Sequence, residues 1–467
     1  MNFRNLTLSI LSLLFISLFT ACNGTSVLVI NPGSQSVTEL RFSRGLNLVL
    51  QESTGMVWLG GGPGTAVSSG LVKITVDGGN TVNLRALDDG SFLYKFAGNE
   101  NSQATVEWVN SNGVKQILNN SVSTTSSKLS ENIAPAGLYP NRLDIQGDYA
   151  WVINSGDDSY TAYNLNTLQN SGMEIKTPDF SNPWEAAWID DASGVITTLF
   201  GGAIYFNSVT GNTTEIDPAG SMGFASPNGV AVHGDYAYIA NPNPLSYFPT
   251  VHGDGWISAV KLDGAPSVET IIVTGWLNPQ NVISFGNYVY ASCTGTVDFP
   301  PPDYLPTPLD NGGVHVIDPA TKKIIASYPL GLSGSSPMAI TPDGRYLYIG
   351  SNIAGYVYRI DLEEGKVLND ISNPIVVDEN PFTFVPALEM TEDGLLIVAS
   401  FNTDSVHFVN GWTGERNPFP FFEPLKLHED DPFAFWGVQD IAVCTRNNGR
   451  GLLILTSVES KFHWVPI

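Results

Sequence analysis

Positions 147–165 read GDYAWVINSGDDSYTAYNL, and related phrases return as GDYAYIAN at 234–241, GNYVYAS at 286–292 and DGRYLYIGSNIAGYVYRIDL at 343–362. Each copy begins with a glycine-containing turn and continues as a short alternating strand rich in Tyr, Val and Ile. The longer copies add a polar turn and a second alternating strand. This pattern predicts a β-hairpin that is repeated along the chain.

A proline followed by a short apolar strand precedes most copies and fixes their register. The prolines are Pro140, Pro183, Pro227, Pro279, Pro337 and Pro386, and a seventh copy starts near Trp436. Successive starts lie 43, 44, 52, 58, 49 and 50 residues apart, close to the ~40–50 residues of a four-stranded propeller blade. The sequence therefore predicts an all-β fold, with a seven-bladed β-propeller over 135–467.

The residues before the propeller are rich in β patterns but lack the proline register. Hairpins are predicted around DGG at 77–79 and NG at 112–113, since such dipeptides favour tight hairpin turns. We predict a separate β-rich region over 23–118, a small β-sandwich, followed by a polar linker over 119–134. The alternative is that 23–118 adds blades, giving eight or nine in all, because DGSFLY at 89–94 resembles the later DGRYLY.

The last predicted blade has only three strands of its own. A strand from before Pro140 is therefore expected to pair with its outer edge, because an unpaired sheet edge promotes aggregation. The candidates are Lys115–Leu118 and Val27–Ile30.

The repeated phrases resemble those of the YVTN-type, NHL-type and gluconolactonase-like β-propeller superfamily over about 140–467. The resemblance implies a propeller fold. It leaves the activity open, because this architecture carries lactonases, lyases, redox enzymes and inert binding scaffolds.

The first residues predict a secretory signal. Leu6 to Phe19 form an apolar run of 14 residues that ends at TAC, positions 20–22, and such a run is too short to span a membrane. The small residue before the cysteine resembles the lipobox of bacterial lipoproteins, which implies a signal peptide of residues 1–21 and a lipid on Cys22. Asn23 in place of Asp implies an outer-membrane anchor in the cell envelope, on its periplasmic side or at the cell surface. Phe19 departs from the lipobox, so secretion without a lipid is the alternative.

Composition argues against several classes of partner. Acidic residues outnumber basic ones 45 to 21, the formal net charge is −24, and no run of Lys or Arg occurs, so nucleic acid is an unsuitable partner. The six histidines show no metal-binding spacing. Cys293 and Cys444 fall in different predicted blades and are expected to be buried and inert. We expect a monomer whose only membrane contact is the lipid.

Long insertions are predicted to share one face of the propeller. In a four-stranded blade, the connection that leads into the first strand and the connection between the second and third strands lie at the same end. Four insertions are placed there, at 241–256, 297–312, 378–384 and 415–436. Their aromatic residues are Tyr247, Phe248, Trp256, Phe299, Tyr304, Phe382, Phe384, Phe419, Phe421, Phe422, Phe433 and Phe435. Aromatic rings on proline-stiffened loops favour binding of a protein or glycan; the alternative is that they pack over the blades.

A second candidate site is the mouth of the central channel, where the residues after each proline converge. These residues are Arg142, Asp144, Trp184, Glu185, Asn228, Gln280, Asn281, Met338, Glu389, Gln439 and Asp440. Carboxylate and amide oxygens around one axis suit Ca²⁺. The segment PNG at 227–229 resembles that of gluconolactonase-like enzymes, which implies Asn228 and Glu185 as metal ligands. Gln280-Asn281 stand where that family has Asp, so Asn281 is the third candidate. The same segment also serves as a plain turn into a strand.

Two functions follow from these sites. The preferred interpretation is a lipid-anchored envelope propeller that binds a protein or glycan through the aromatic insertions, a role that does not require catalysis. The alternative is a Ca²⁺-dependent lactonase or lyase of the gluconolactonase-like type. In that case Arg142 would stabilise an oxyanion and Asp144 or Asp440 would act as the base.

Overall fold

The computed structural model describes residues 46–51, 56–61, 66–79, 81–86, 90, 92–97, 102–109, 113, 115–121, 133–216, 223–247, 250–301, 305–418, 424–427, 435–446 and 449–466. Its regular structure there is entirely β-strand, which confirms the predicted all-β class. Within these ranges no helix is long and apolar enough to cross a membrane. Cys22, the predicted signal peptide and Val27–Ile30 lie outside them.

Two packed sheets form the region before the propeller. Its strands are β1 (Leu46–Gln51), β2 (Met56–Gly61), β3 (Leu71–Val76), β4 (Thr81–Arg85), β5 (Phe92–Ala97), β6 (Gln103–Val109) and β7 (Lys115–Ser121). One sheet has the order β1-β2-β5 and the other β4-β3-β6-β7. Leu59 and Phe96 of the first sheet share a core with Ile74 and Val106 of the second. Both predicted hairpins occur, as β3–β4 and β6–β7. Because β2 pairs with β5, the first sheet lacks the consecutive pairing of a blade.

Sheets with consecutive strand order make up the propeller. The strand β8 (Ile133–Pro135) comes first in the chain and pairs with the last sheet. The first sheet contains β9 (Pro140–Gln146), β10 (Tyr149–Asn154), β11 (Ser159–Asn164) and β12 (Asn170–Lys176), and the second contains β13 (Pro183–Trp188), β14 (Ser193–Thr198), β15 (Gly202–Asn207) and β16 (Thr213–Ile216). The third contains β17 (Val230–His233), β18 (Tyr236–Asn241), β21 (Asp254–Lys261) and β22 (Ser267–Leu277), with the hairpin β19 (Pro244–Tyr247) and β20 (Thr250–His252) inserted between its second and third strands.

Four further sheets complete the ring. The fourth sheet contains β23 (Pro279–Phe285), β24 (Tyr288–Cys293), β27 (Gly312–Asp318) and β28 (Lys323–Gly331), with the hairpin β25 (Val297–Asp298) and β26 (Thr307–Pro308) inserted between its second and third strands. The fifth contains β29 (Ser335–Ile340), β30 (Tyr346–Ser351), β31 (Tyr356–Asp361), β32 (Lys366–Asn369) and β33 (Ile375–Val376), and the sixth contains β34 (Leu388–Met390), β35 (Leu395–Ser400), β36 (Ser405–Asn410) and β37 (Leu425–Lys426). The last contains β38 (Val438–Arg446), β39 (Gly449–Thr456) and β40 (Lys461–Pro466). The proline-marked segments form the first strand of each sheet, as predicted.

The first strands surround the central channel. They contact one another in the order β9, β13, β17, β23, β29, β34, β38 and back to β9, so the ring is closed. One hydrophobic cluster lies between each pair of neighbouring sheets in the described propeller; for example, Tyr163 packs on Phe462 across the junction of the last and first blades. Apolar side chains on both faces of each blade are thereby buried.

The last blade obtains its outer strand from the start of the propeller. Strand β8 pairs with β40, with Ala134 opposite Phe462. A strand from before Pro140 therefore closes the ring as predicted, but the candidate Lys115–Leu118 is wrong, because it lies in β7 and pairs with β6. The strands of the propeller begin at residue 133, inside the segment predicted as a linker.

One insertion is divided between the two ends of its blade. The segment 415–436 contains β37, whose Lys426 lies opposite Ser405. Residues 411–424 therefore join the third and fourth strands and leave the blade at the end opposite to the prediction. Phe419, Phe421 and Phe422 belong to that part of the insertion, and they lie outside the described residues. Only 427–437 leads into the next first strand.

Candidate functional site

The two ends of the propeller differ in the apolar side chains that they expose. We call the end with the connections into first strands, and between second and third strands, the upper face. Its connections are 136–139, 155–158, 177–182, 199–201, 217–229, 242–253, 278, 294–311, 332–334, 352–355, 377–387, 401–404, 427–437 and 457–460. The described residues of these connections include exposed Leu138, Tyr139, Phe180, Phe200, Leu245, Val251, Phe299, Leu309, Leu332, Phe382 and Val458.

Among the described residues, the lower face exposes few such side chains. Of the large apolar side chains on its described connections, Val209 is exposed, and Tyr288 is exposed at the start of a strand nearby. Large contiguous apolar surfaces on soluble proteins commonly mark interaction sites. The concentration of exposed rings and aliphatic side chains among the described residues of the upper face therefore makes it the candidate binding surface.

The predicted aromatic residues divide into surface rings and supporting rings. Phe299 and Phe382 are exposed, by 38% and 37%. Phe401 stacks on Phe384 at 4.7 Å between ring centroids and contacts Phe435 edge-on at 5.5 Å. The predicted rings Phe384 and Phe435 therefore pack against the blades and hold their connections in place. Trp256 donates its indole N–H to the carbonyl oxygen of residue 223 at 3.2 Å. The side chains of Tyr247, Phe248, Tyr304 and Phe433 lie outside the described residues.

The two rings that are most exposed among the described residues of this face were not predicted from the sequence. Phe180 and Phe200 are exposed by 59% and 48%, and the backbone N–H of Phe200 donates to the carbonyl of Ser181 at 3.1 Å. Both rings lie in connections of ordinary length, so a search for insertions passes over them. An aromatic residue at the tip of a short polar loop, as in TPDFSN at 177–182, is the signal that could have found Phe180.

Aspartates in one blade fix the connection that leads into the next. Asp158 accepts the N–H groups of Phe180 at 2.6 Å and Asn182 at 2.9 Å. Asp404 does the same for Trp436 at 2.8 Å and Gly437 at 2.6 Å. Carboxylates that accept two backbone N–H groups hold a loop in one conformation. The upper face is therefore a rigid surface around Phe180 and Trp436.

Buried polar pairs join the strand ends that bound two other connections of the upper face, 155–158 and 242–253. Asn154 donates to Thr161 at 3.2 Å, and Asn241 donates to Ser258 at 3.0 Å, each pair joining a second strand to a third strand near the upper face. These side chains are at most 3% exposed. The hydrogen bond within each buried pair favours one arrangement of the strand ends.

One buried histidine contacts both a serine and an aspartate but does not form a proton relay. His407 Nε2 lies 2.9 Å from Ser405 Oγ and 3.5 Å from Asp378 Oδ2. Catalytic relays use the two ring nitrogens for the two partners, whereas here both partners face the same nitrogen. Ser400 and Thr403 also donate to Asp378. Burial acts to raise the pKa of Asp378, but its hydrogen bonds with His407, Thr403, the backbone of Asn380 and Ser400 hold it well below its usual range.

The channel mouth gathers acidic groups from four consecutive blades. Asp144, Glu185, Glu389 and Asp440 lie on first strands, and Arg142 accompanies them. Arg142 Nε lies 3.9 Å from Glu185 Oε2, and its side chain also donates to the carbonyl of Pro386 at 3.4 Å. The structure thus brings the predicted Arg142, Asp144, Glu185 and Asp440 together.

Burial makes these carboxyl groups hard to ionise. It raises the pKa of Glu185 to about 8, against the Arg142 charge, and the nearby Asp144 and Asp440 raise it further. Burial raises the pKa of Asp144 to about 7, although Tyr160 donates a hydrogen bond to it. Burial also raises the pKa of Glu389 to about 7, with Asp440 adding to the shift. Near neutral pH, the cluster therefore contains protonated carboxyl groups that can donate a proton and ionised ones that can accept one.

The predicted metal ligands share one property. Glu185 Oε2, Asn228 Oδ1 and Asn281 Oδ1 are buried oxygens without a hydrogen-bond partner among the described residues. Unpartnered oxygens of this kind fit a hard cation such as Ca²⁺. The donor set has one carboxylate, and no group of three His, Cys, Asp or Glu side chains suited to a metal occurs in the described residues. The three residues therefore fit a weakly charged site in which amide oxygens predominate.

The PNG segment also has a packing role. Asn228 donates to Gln280 at 2.6 Å, and a Cβ on Gly229 would lie 2.6 Å from the Cα of Asn281. Glycine is required because the first strands of two neighbouring blades approach closely at this point. The segment thus fixes the ring whether or not a cation binds.

The two cysteines are buried and free, as predicted. Burial raises the pKa of Cys293 and of Cys444 to about 12, so both thiols remain protonated at physiological pH.

Comparison with known proteins supports the fold of the chain but identifies no family for it. No family model matches the sequence, and no curated protein matches it. Among solved structures, hydrazine synthase from Kuenenia stuttgartiensis is similar, with a TM-score of 0.52 and 14% identity over 74% of this chain and 99% of that one. The β-propeller domain of Cps50 (Swd1) from Myceliophteria thermophila gives 0.49 and 11% over 72% and 99%. The closed ring of sheets and the hydrazine synthase likeness establish a β-propeller fold.

Proposed function

We propose that the propeller is a binding scaffold that holds a protein partner through its upper face. The observation that carries this proposal is the concentration of exposed Leu, Val, Tyr and Phe side chains on the connections of that face. Burying one such side chain contributes about 1.5–3 kcal/mol. A few of them are sufficient for specific binding, since a small number of residues dominates most interfaces.

Two features favour a protein over a glycan. Aliphatic residues such as Leu138, Leu245 and Leu309 are as numerous as rings among the exposed apolar side chains, and sugars stack on rings rather than on branched aliphatic groups. The carboxylates of Asp158 and Asp404 fix the loops before binding, which lowers the entropic cost of association.

The test incorporates a photo-crosslinking amino acid into the protein in living cells of the organism that produces it. It replaces Phe180, Phe200 or Phe382 on the upper face, and Val209 or Tyr288 on the lower face as matched exposed controls. We expect discrete protein adducts from the upper positions only. Equal adducts from both faces would contradict the proposal, and glycan adducts from the upper positions would replace the protein partner with a glycan.

We further propose that the protein is held at the cell envelope by a lipid on Cys22, in the outer membrane. The support is the apolar run followed by TAC at 20–22. Cys22→Ser should abolish incorporation of a radiolabelled fatty acid and release the protein from the membrane fraction. Labelling that survives this substitution would exclude the anchor.

The unpartnered channel oxygens favour a second function, a Ca²⁺-dependent lactonase or lyase, which the resemblance to gluconolactonase-like propellers also supports. Glu185, Asn228 and Asn281 would hold the ion, which would supply Lewis-acid polarisation of a substrate carbonyl. Arg142 would bind the developing oxyanion, and Asp144 or Asp440 would accept a proton. Calorimetric titration of Ca²⁺ into chelator-treated protein tests this function. Single-site binding that is lost in Asn228→Ala but kept in the exposed control Asn212→Ala would support it, and absence of heat would exclude it.

A further inference from the structure

The connections of the upper face carry negative charge and no positive charge of their own. In the fourteen ranges given above, the sequence has 14 Asp and Glu residues and no Lys or Arg. The lower connections are also acidic, but they include Lys322, Arg345 and Arg416. The upper face is therefore the one where apolar side chains are interspersed with acidic groups alone.

Some of these acidic groups are used inside the protein and others are free to meet a partner. Asp158, Asp378 and Asp404 accept hydrogen bonds within the loops. Asp179 and Glu379 are exposed; Asp179 directly precedes the exposed Phe180, and Glu379 lies three residues before the exposed Phe382.

Three lysines lie at the rim: Lys426 at the end of β37 is exposed, and the other two have acidic neighbours. Lys176 at the end of an outer strand pairs with Glu174 at 3.1 Å. Lys461 at the start of β40 pairs with Glu459. Neither charge balances Asp179 or Glu379 through a contact in the structure. An approaching acidic surface would thus meet repulsion from the connections of the upper face, whereas a basic one would be attracted.

From this arrangement we infer that the partner presents apolar side chains flanked by Lys or Arg. The inference rests on the proposed function and specifies the partner's chemistry. Apolar contacts with Phe180 and Phe382 supply the binding energy, and cations opposite Asp179 and Glu379 supply orientation and speed of association. A second copy bound through the same face is disfavoured as the occupant, because two surfaces of the same negative sign would face each other in a molecule with a net charge of −24.

The experiment measures binding of three immobilised peptides of equal length by biolayer interferometry. The peptides alternate Leu with Lys, Leu with Gln or Leu with Glu. The proteins are the wild type, the upper-face variant Asp179→Lys/Glu379→Lys, the lower-face control Asp148→Lys/Glu392→Lys, and the apolar variant Phe180→Ser/Phe382→Ser. The two charge variants change the net charge equally, so their difference isolates the face.

We expect the Leu/Lys peptide to bind the wild type about tenfold more tightly than the Leu/Gln peptide, with the difference lost in about 0.5 M salt. The upper-face charge variant should lose that difference, the lower-face control should keep it, and the apolar variant should bind neither peptide. Equal weakening by both charge variants would overturn the inference. Equal binding of the Leu/Gln and Leu/Lys peptides would overturn it while leaving the proposed function intact. If the apolar variant binds the peptides as tightly as the wild type does, both the inference and the proposed function are overturned.

Discussion

Tyr160 donates its hydroxyl hydrogen to Asp144 across 2.7 Å, and the same hydroxyl oxygen accepts the indole N–H of Trp188 at 2.9 Å. The chain of three residues joins the third strand of the first blade to its inner strand and to the inner strand of the second blade. Tyr160 is fully buried. A channel carboxyl is thereby connected to the packing between two blades.

Tyr160→Phe should destabilise the protein by about 1–3 kcal/mol, because Trp188 loses its acceptor and Asp144 its donor in a buried place. Urea unfolding followed by tryptophan fluorescence measures the change. Tyr288→Phe on the exposed lower face is the control and should stay within about 0.5 kcal/mol of the wild type. Equal losses in both variants would contradict a role for the hydrogen-bond chain.

Glu389→Gln should reduce the loss of stability that the wild-type protein shows as the pH rises. Folding raises the pKa of Glu389 from 4.5 to about 7, so the folded state holds more protons than the unfolded state between these values. Stability contributed by this group is therefore lost as pH rises from 4.5 towards 7, by at most about 1.4 kcal/mol per pH unit. Calorimetric melting between pH 5 and pH 9 should show a smaller decline in the variant than in wild type. The exposed Glu392→Gln should leave the wild-type profile unchanged.

Asp404→Ala should loosen the segment that leads into the last blade. Three backbone N–H groups, at residues 436, 437 and 438, lose their acceptor, at a cost of about 1–3 kcal/mol. Hydrogen exchange of these amides should rise selectively. Asp404→Asn should restore part of the protection, because its amide oxygen still accepts and its side chain tolerates the positive φ of 49° at this position.

Removal of residues up to Pro135 should destabilise the ring and promote self-association, since the edge of β40 would lose its partner β8. Melting temperature and size-exclusion chromatography report the two effects. A truncation that ends at Ser121 retains β8 and serves as the control. Unchanged melting in the shorter protein would show that β8 does not hold the ring.

The inner strands were predictable because each follows a proline or Trp436 and alternates apolar with polar residues. The closing strand was not, because Ile133–Pro135 has three residues and no periodicity. The two-residue strand Leu425–Lys426 was missed for the same reason, and with it the division of the insertion at 415–436.

The candidate sites were predictable to a similar degree. Residues after the prolines converge by topology alone, so the grouping of Arg142, Asp144, Glu185 and Asp440 follows from the repeat. The exposure of Phe180 and the raised pKa of Glu389 depend on the three-dimensional surroundings of each residue, which spacing does not encode.

The pairing of β8 with β40 also has a consequence during synthesis. Ribosomes make Ile133–Pro135 more than 300 residues before Lys461–Pro466, so the early strand has no partner for most of translation. Ring closure is a late event that must bring distant parts of the chain together, and such contacts form slowly. Until the final strand emerges, the growing protein is an open arc with two unpaired ends that need protection from other nascent chains.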